Sequence, residues 1–418
     1  MKDKNFINRN NIYLLLILYL SLLLGFYFDE NLNYGAKPDW YYTNFPAIKD
    51  FSENFSKTLF NYDKYNHRHS PIYLIFLSLF SKIGINFDLI RFIHLNISIY
   101  LIYIFFKCLC LKFKKIDKNI LFLLSISIFL SPTFRSIAIW PDTRIIGLIF
   151  FTLSIYEFLK FNNSKNINFF YKNIIYVVVS SYISPNFSVF IIFYYLFFLR
   201  YVEIKHIFLS ILLSSLLSLP ALYYLFVLDI NFLLGQTPGA NINDTVGLDF
   251  NISNKILIIS TIIFFHLIPF MFDKKFLNEF IISIKKNFFF ILIFLIVNLY
   301  FFDYLQIFTG GGFFFHLSLL LFNNNLIFYF FSFFSLFIIA YFILSNLNNT
   351  ILYILLILSN VQNTIYHKYY DPFVMILFFL LFVHFLPEKF LSRKKNLIFL
   401  YLFYLFFISL RIINNLFL

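Results

Sequence analysis

The chain has 418 residues, of which 61% are hydrophobic and only 13% charged, with a mean hydropathy of +0.80. A soluble domain carries about 25% charged residues, so this composition excludes a water-soluble globular protein and predicts an all-α, polytopic membrane protein. The net charge of +13 is not gathered into a basic stripe apart from the hydrophobic runs. That excludes a nucleic-acid partner and assigns the charge to membrane topology.

The N-terminus places Lys2, Lys4 and Arg9 before an apolar run from Ile12 to Phe28, followed by Asp29-Glu30-Asn31. A signal peptide ends on small residues, so these acids predict an uncleaved first span over 11–28. The polar segment 29–70 comes next, the longest in the chain. It contains Pro38-Asp39-Trp40-Tyr41-Tyr42, Lys49-Asp50-Phe51 and Tyr65-Asn66-His67-Arg68-His69-Ser70-Pro71-Ile72-Tyr73. The apolar run from Pro71 to Ser81 is too short to cross a bilayer and predicts a helix lying in the interface.

Runs of about 17–25 apolar residues span a membrane as helices. On that basis further spans are expected at 89–110, 119–134, 145–160, 173–184, 186–202, 206–227, 256–272, 288–303, 326–344, 350–365, 371–386 and 396–416. The total is about 13 transmembrane helices in one integral-membrane domain over 1–418. Ser184-Pro185-Asn186 divides 173–202 into two short spans, because basic residues flank both ends. Cys108 and Cys110 are the only cysteines and lie inside a span, so no disulfide framework or zinc site is expected.

Lys/Arg counting sets the orientation. With the N-terminus inside, 20 of the 33 fall in cytoplasmic segments and 12 in outer ones, with Lys107 inside a span. Acids divide the other way, 7 inside and 13 outside. This is the positive-inside pattern. It puts 29–88, with its interfacial helices, outside as the first extracytoplasmic loop.

No nucleotide-binding loop, dinucleotide fingerprint or metal-ligand spacing is present, so no cofactor and no metal are expected. The outer segments hold the remaining candidates. The second outer loop reads Ser131-Pro132-Thr133-Phe134-Arg135 and Trp140-Pro141-Asp142-Thr143-Arg144. The only two tryptophans, Trp40 and Trp140, each lie within two residues of an acid. Such rings either anchor the interface or wall a sugar site beside a catalytic acid. A late outer turn, Tyr366-His367-Lys368-Tyr369-Tyr370-Asp371-Pro372, either caps a helix or holds a lipid phosphate. Gly310-Gly311-Gly312 before Phe313 to Asn323 suggests a flexible or re-entrant piece.

One span, a large outer loop opening with an acid, an H-S-P-x-Y stretch, a W-P-D second loop and a late K-Y-x-x-P turn together resemble the GT-C glycosyltransferases. Within these the chain is similar to the protein O-mannosyltransferase and aminoarabinose-transferase branch, and the Trp140-Pro141-Asp142 and Lys368 to Pro372 stretches also resemble the dolichyl-phosphate-glucose glucosyltransferases. Many relatives carry an Asp-Glu pair early in the loop. Here Asp29-Glu30 abuts the first span, and Asp39 lies within the loop proper.

The resemblance implies a polyprenyl-phosphate sugar donor used on the extracytoplasmic face, with inversion, and a lipid, glycan or protein acceptor. It implies Asp39 as general base and Asp142 as orienter or second acid. Trp40, His67, Arg68, His69, Trp140, Arg144, His367, Lys368 and Tyr369 are the candidate substrate and phosphate contacts. Cationic groups suit a phosphate leaving group without a metal. The competing readings are a lipid-linked sugar flippase or transporter and an O-antigen polymerase or ligase. AT-rich codon usage and the absence of a loop disulfide favour a bacterial inner membrane over the endoplasmic reticulum.

Overall fold

The structure is a computed structural model and describes residues 7–32, 35–65, 69–227, 251–304, 310–362 and 364–417. It is all-helical, with eight helices long and apolar enough to cross a membrane among the described residues, or nine if one bent pair counts as a single span. The chain is therefore an integral membrane protein by the character of its helices. Local capping marks the helix starts. The side chains of Asn86, Asp117, Asp142, Asn166, Asn251 and Asp273 each accept from a backbone N–H in the first turn of the following helix. That is the expected use of Asn and Asp at this position.

Eight expected spans have long helical counterparts, including Arg9–Tyr27, Phe87–Lys112, Thr143–Ser164 and Ile204–Phe226. The expected 288–303 span belongs to a longer helix, Lys274–Tyr300, which absorbs the basic residues expected in a loop. The expected 119–134 span bends by 66° between Lys118–Leu130 and Pro132–Ile139. Ser131 is extended at the break, and its hydroxyl accepts from Phe134 N–H at 3.0 Å. Pro132 then occupies the first helical position, where its missing N–H is harmless. Residues 135–139, expected as loop, thus join 132–134 in a fully buried helix.

The other four expected spans are shorter pieces. Ile167–Ile183 has 17 residues, Pro185–Phe198 is broken by a 3₁₀ turn, and Leu347–Leu358 has 12. Phe373–Leu380 has 8, about 12 Å at 1.5 Å per residue, and every one is buried. The helix expected from Pro71 runs Ile72–Lys82 and buries Tyr73, Leu74, Leu77 and Ser78 on one face.

The chain forms two compact units. The first comprises residues 1–233 and 391–418. Thr143–Ser164 is its centre, 72% buried and packed against Phe87–Lys112 and Ile167–Ile183. Arg9–Tyr27 and Ile204–Phe226 lie outermost, each only 17% buried. The short helices of 36–65 and Ile72–Lys82 also belong here, with Phe45–Glu53 packed on Ile72–Lys82.

The second unit, residues 234–390, is centred on Ile252–Phe270, 83% buried. Around it pack Leu326–Ser345, Gly312–Phe322, Lys274–Tyr300 and Leu347–Leu358. The Gly-rich stretch starts a short helix. Gly311 and Gly312 adopt φ of 110° and 79°, values open to glycine, and Gly311 N–H donates to the Ile365 carbonyl at 2.9 Å.

Candidate functional site

In the first unit, the acids after the first helix meet three buried arginines. The geometry starts at a helix end. Asp29 has φ 54°, a left-handed conformation that Asp tolerates. Glu30 N–H donates to the Gly25 carbonyl at 2.8 Å and Asp29 N–H to Phe26 at 3.3 Å. This pair of bonds is a Schellman ending, and it turns Glu30 back over the helix terminus. There Glu30 accepts two 2.6 Å bonds from Arg135, whose guanidinium also donates to Ser21 Oγ at 3.1 Å and the Ser21 carbonyl at 3.0 Å. A Cβ on Gly25 would lie 2.7 Å from Glu30 Oε2 and 3.0 Å from Arg135 Nη2. Glycine is what lets this ion pair sit on the helix.

Arg91, from the start of Phe87–Lys112, donates to Asp29 at 2.9 Å and to Asp88 at 3.2 Å. Its guanidinium lies 3.8 Å from the Trp140 ring centroid, a close cation–π contact. Lys37 sits 3.6 Å from Asp29 and 5.1 Å from the same ring. The Trp140 indole N–H donates to the Glu30 carbonyl at 2.9 Å. Asn44 Nδ2 donates to the Pro141 carbonyl at 2.8 Å. The first polar segment and the W-P-D stretch are therefore joined by charge, ring and backbone contacts.

Asp142 and Arg144 complete the cluster. Asp142 caps Thr143–Ser164 by accepting from Arg144 N–H at 2.8 Å. Arg144 also grips the same carboxylate through Nε at 3.1 Å and Nη2 at 2.6 Å. This two-pronged geometry is the strong form of the arginine–carboxylate pair. Arg144 Nη2 lies 3.7 Å from Asp39 Oδ2, so one guanidinium bridges the two acids. The Asp39 side chain is 44% exposed and that of Asp142 is 7%. Asp39 is thus the acid that solvent reaches, and Asp142 the one that holds the arginine.

Trp40 and Trp140 are 2% and 0% exposed, so neither ring presents an open face. Trp40 packs edge-on to Phe45 with centroids 6.0 Å apart. His69 is described, and its carbonyl accepts from Tyr62 OH at 3.1 Å; His67 and Arg68 lie outside the described residues. Nearby, Lys64 bonds Asp50 at 2.8 Å, and the Tyr65 hydroxyl donates to the same carboxylate. These bonds, Lys64 first, hold the Asp50 carboxyl below its usual range. Burial, and then Asp50, push the Tyr65 phenol up to about 12.

A second polar chain underlies the cluster. The His94 Nε2 lies 2.8 Å from the Ile137 carbonyl, which can only accept, so His94 Nδ1 is left to accept from the Tyr73 hydroxyl. Tyr73 belongs to the H-S-P-x-Y stretch, and Ile137 lies three residues before Trp140. Sequence reasoning does not single out Arg91 or His94, and it meets Arg135 only as part of the second outer loop, without a role. Their only sequence signal is a charged or polar side chain inside an apolar run, where it demands a partner.

His367, Lys368 and Tyr369 belong to the second unit and form their own group. His367 Nε2 lies 2.8 Å from His266 Nε2, so one imidazole donates to the other. The Lys368 amine sits 5.1 Å from the Tyr366 ring centroid, and the Tyr366 and Tyr369 rings meet edge-on at 5.7 Å. Asp371 is buried behind them. Among the described residues, no three His, Cys, Asp or Glu side chains are placed to share a metal ion. A scan of protein-family models, a search of curated proteins and a search of solved structures each find no match to this chain.

Proposed function

We propose that this membrane protein is a glycosyltransferase of the GT-C kind, moving a sugar from a polyprenyl-phosphate donor to a lipid, glycan or protein acceptor. The observation that carries the reading is the Asp39–Arg144–Asp142 arrangement: a solvent-reached carboxylate 3.7 Å from a guanidinium that a buried acid clamps. Transfer to a hydroxyl needs a base to take its proton as the new bond forms, and Asp39 is placed for that role. It also needs positive charge where the phosphate leaves. Arg144 supplies it in a fixed direction, because Asp142 holds its Nε and Nη2 along one edge. Asp29 and Glu30 are less suited to be the base, since each is held by a buried arginine.

In this reading the cluster faces the extracytoplasmic side, the N-terminus is cytoplasmic, and the chain sits in a bacterial inner membrane and serves cell-envelope glycan synthesis. The test is transfer from radiolabelled polyprenyl-phosphate sugars, in membranes holding matched amounts of wild type or Asp39→Asn. Label reaching an acceptor in wild type, with at least a hundredfold loss in the variant, supports both the class and the base. Equal transfer in both removes Asp39 from the mechanism. Movement of intact sugar-lipid across the bilayer, with no transfer, replaces the enzyme by a transporter.

A further inference from the structure

Within the first unit a cavity of about 310 Å³ lies between the later half of Ile167–Ile183, the turn at Pro185, and Ile204–Phe226. Ile204–Phe226 lines it with Tyr224 and with the row Ser214, Ser218, Ala221 and Leu225. The row's spacing of four, three and four residues places it on one helix face. At 1.5 Å per residue that stripe is about 16 Å long, so the cavity is elongated along the helix. The small side chains at 214, 218 and 221 leave the room.

The lining chemistry narrows the occupant. Val178, Pro185, Ile191, Ala221 and Leu225 are apolar, and among the described residues the lining contains no charged, amide or imidazole side chain. Its serine hydroxyl protons are already directed elsewhere. Ser181 donates to the Val177 carbonyl at 2.7 Å, Ser188 to Pro185 at 2.7 Å, Ser214 to Ser210 at 2.9 Å and Ser218 to Ser214 at 2.7 Å. Tyr182 likewise donates to the Leu217 carbonyl. Residues that bond their own helix in this way present little beyond carbon and a spent hydroxyl. A sugar or a phosphate, which needs several strong donors, is not satisfied here.

One lining group differs. Ser70, supplied by the H-S-P-x-Y stretch, is 4% exposed, and its hydroxyl has no hydrogen-bond partner among the described residues. Burying a hydroxyl without a partner costs free energy. Its presence in an otherwise satisfied, apolar cavity marks the point where a ligand completes the bonding.

We propose that this cavity binds a single-chain amphiphile with an uncharged polar end, its hydrocarbon chain along the 214–225 face and its hydroxyl or ester oxygen bonded to Ser70 Oγ. The ligand class is a long-chain alcohol or its neutral ester, from either a straight alkyl or an isoprenoid source. The site is separate in chemistry from a phosphate-bearing donor site, and the proposal does not rest on the transferase reading.

The test uses the full chain in phosphatidylcholine nanodiscs with two diazirine probes, dodecanol and farnesol, followed by mapping of labelled peptides. Label is expected in 178–191 and 214–225 and is displaced by excess unlabelled dodecanol but not by dodecyl phosphate. Whichever probe labels more strongly identifies the alkyl or the isoprenoid source. Ala221→Phe, which fills the cavity, is expected to remove at least nine-tenths of the label there. Ser70→Ala is expected to weaken binding about fivefold, the worth of one neutral hydrogen bond. Ser218→Leu is the second cavity-filling variant, used where Ala221→Phe lowers thermal stability. Label spread evenly over the exposed helices and unchanged in both filling variants overturns the site. Equal displacement by dodecyl phosphate overturns the neutral polar end.

Discussion

Glu30→Gln tests whether the first acid pair is structural. The Arg135 guanidinium is 5% exposed and the Glu30 side chain 21%. Removing one partner of a buried pair costs about 3–5 kcal/mol, because the other charge is left buried and uncompensated. Glu30 is partly wet and glutamine keeps one acceptor, so the lower end applies, about 3 kcal/mol. At roughly 2–4 °C per kcal/mol this lowers the melting temperature by roughly 6–12 °C. Intrinsic fluorescence is the assay, since the chain has only two tryptophans and one of them, Trp140, bonds Glu30 directly. Removing both charges, in Glu30→Gln with Arg135→Met, is expected to recover part of the loss, with a coupling of about 2 kcal/mol. Asp39→Asn is expected to melt within about 0.5 kcal/mol of wild type, as exposed substitutions usually do. Additive losses in the double variant, or a Glu30→Gln variant as stable as wild type, refute the structural assignment.

Four further outcomes concern the same unit. Gly25→Ala gains helix propensity of about 1 kcal/mol. It also pushes a methyl against Glu30 and Arg135, so a net loss of about 1–2 kcal/mol is expected in thermal melts. Tyr73→Phe leaves the buried His94 Nδ1 without its donor and is expected to cost about 1–3 kcal/mol, with a smaller loss when His94→Phe is added. A wild-type advantage over Tyr73→Phe that disappears only in high salt argues against this neutral bond. Tyr65 titrates higher folded than unfolded, so the folded state holds the extra proton between the two values. The stability that Tyr65 adds over Tyr65→Phe is therefore full below about pH 10 and falls as pH rises toward about 12. Asp50, held low, gives the opposite sign: the stability it adds over Asp50→Asn is present above its unfolded value and lost as pH falls through its lowered one. Melting curves of these variants across both pH windows read the two signs directly.

Membrane character and most helix positions were legible in the sequence, because both are set locally. A run such as Leu326–Ser345 is apolar enough to cross a bilayer whatever surrounds it. Caps such as Asp142 and Asp273 act within three residues of the helix they start. Asp39, Asp142 and Arg144 were also readable as candidates, since polar residues clustered beside spans stand out against a hydrophobic chain, and the structure brings the three side chains together. Span counting did less well where hydropathy could not tell lipid from protein. Phe373–Leu380 is as apolar as any span, yet it is eight residues long and buried on every side.

Tertiary structure alone decided the pairings. Glu30 and Arg135 are 105 residues apart, and no local rule matches them. The same holds for Arg91 with Asp29 and for Asp39 with Arg144. A buried charge must find an opposite one, and the sequence states that demand without naming the partner. Packing of Phe87–Lys112, Pro132–Ile139 and the first polar segment names it. It also covers both tryptophans, and it leaves Asp39 as the acid of the Asp39–Arg144–Asp142 group that solvent reaches.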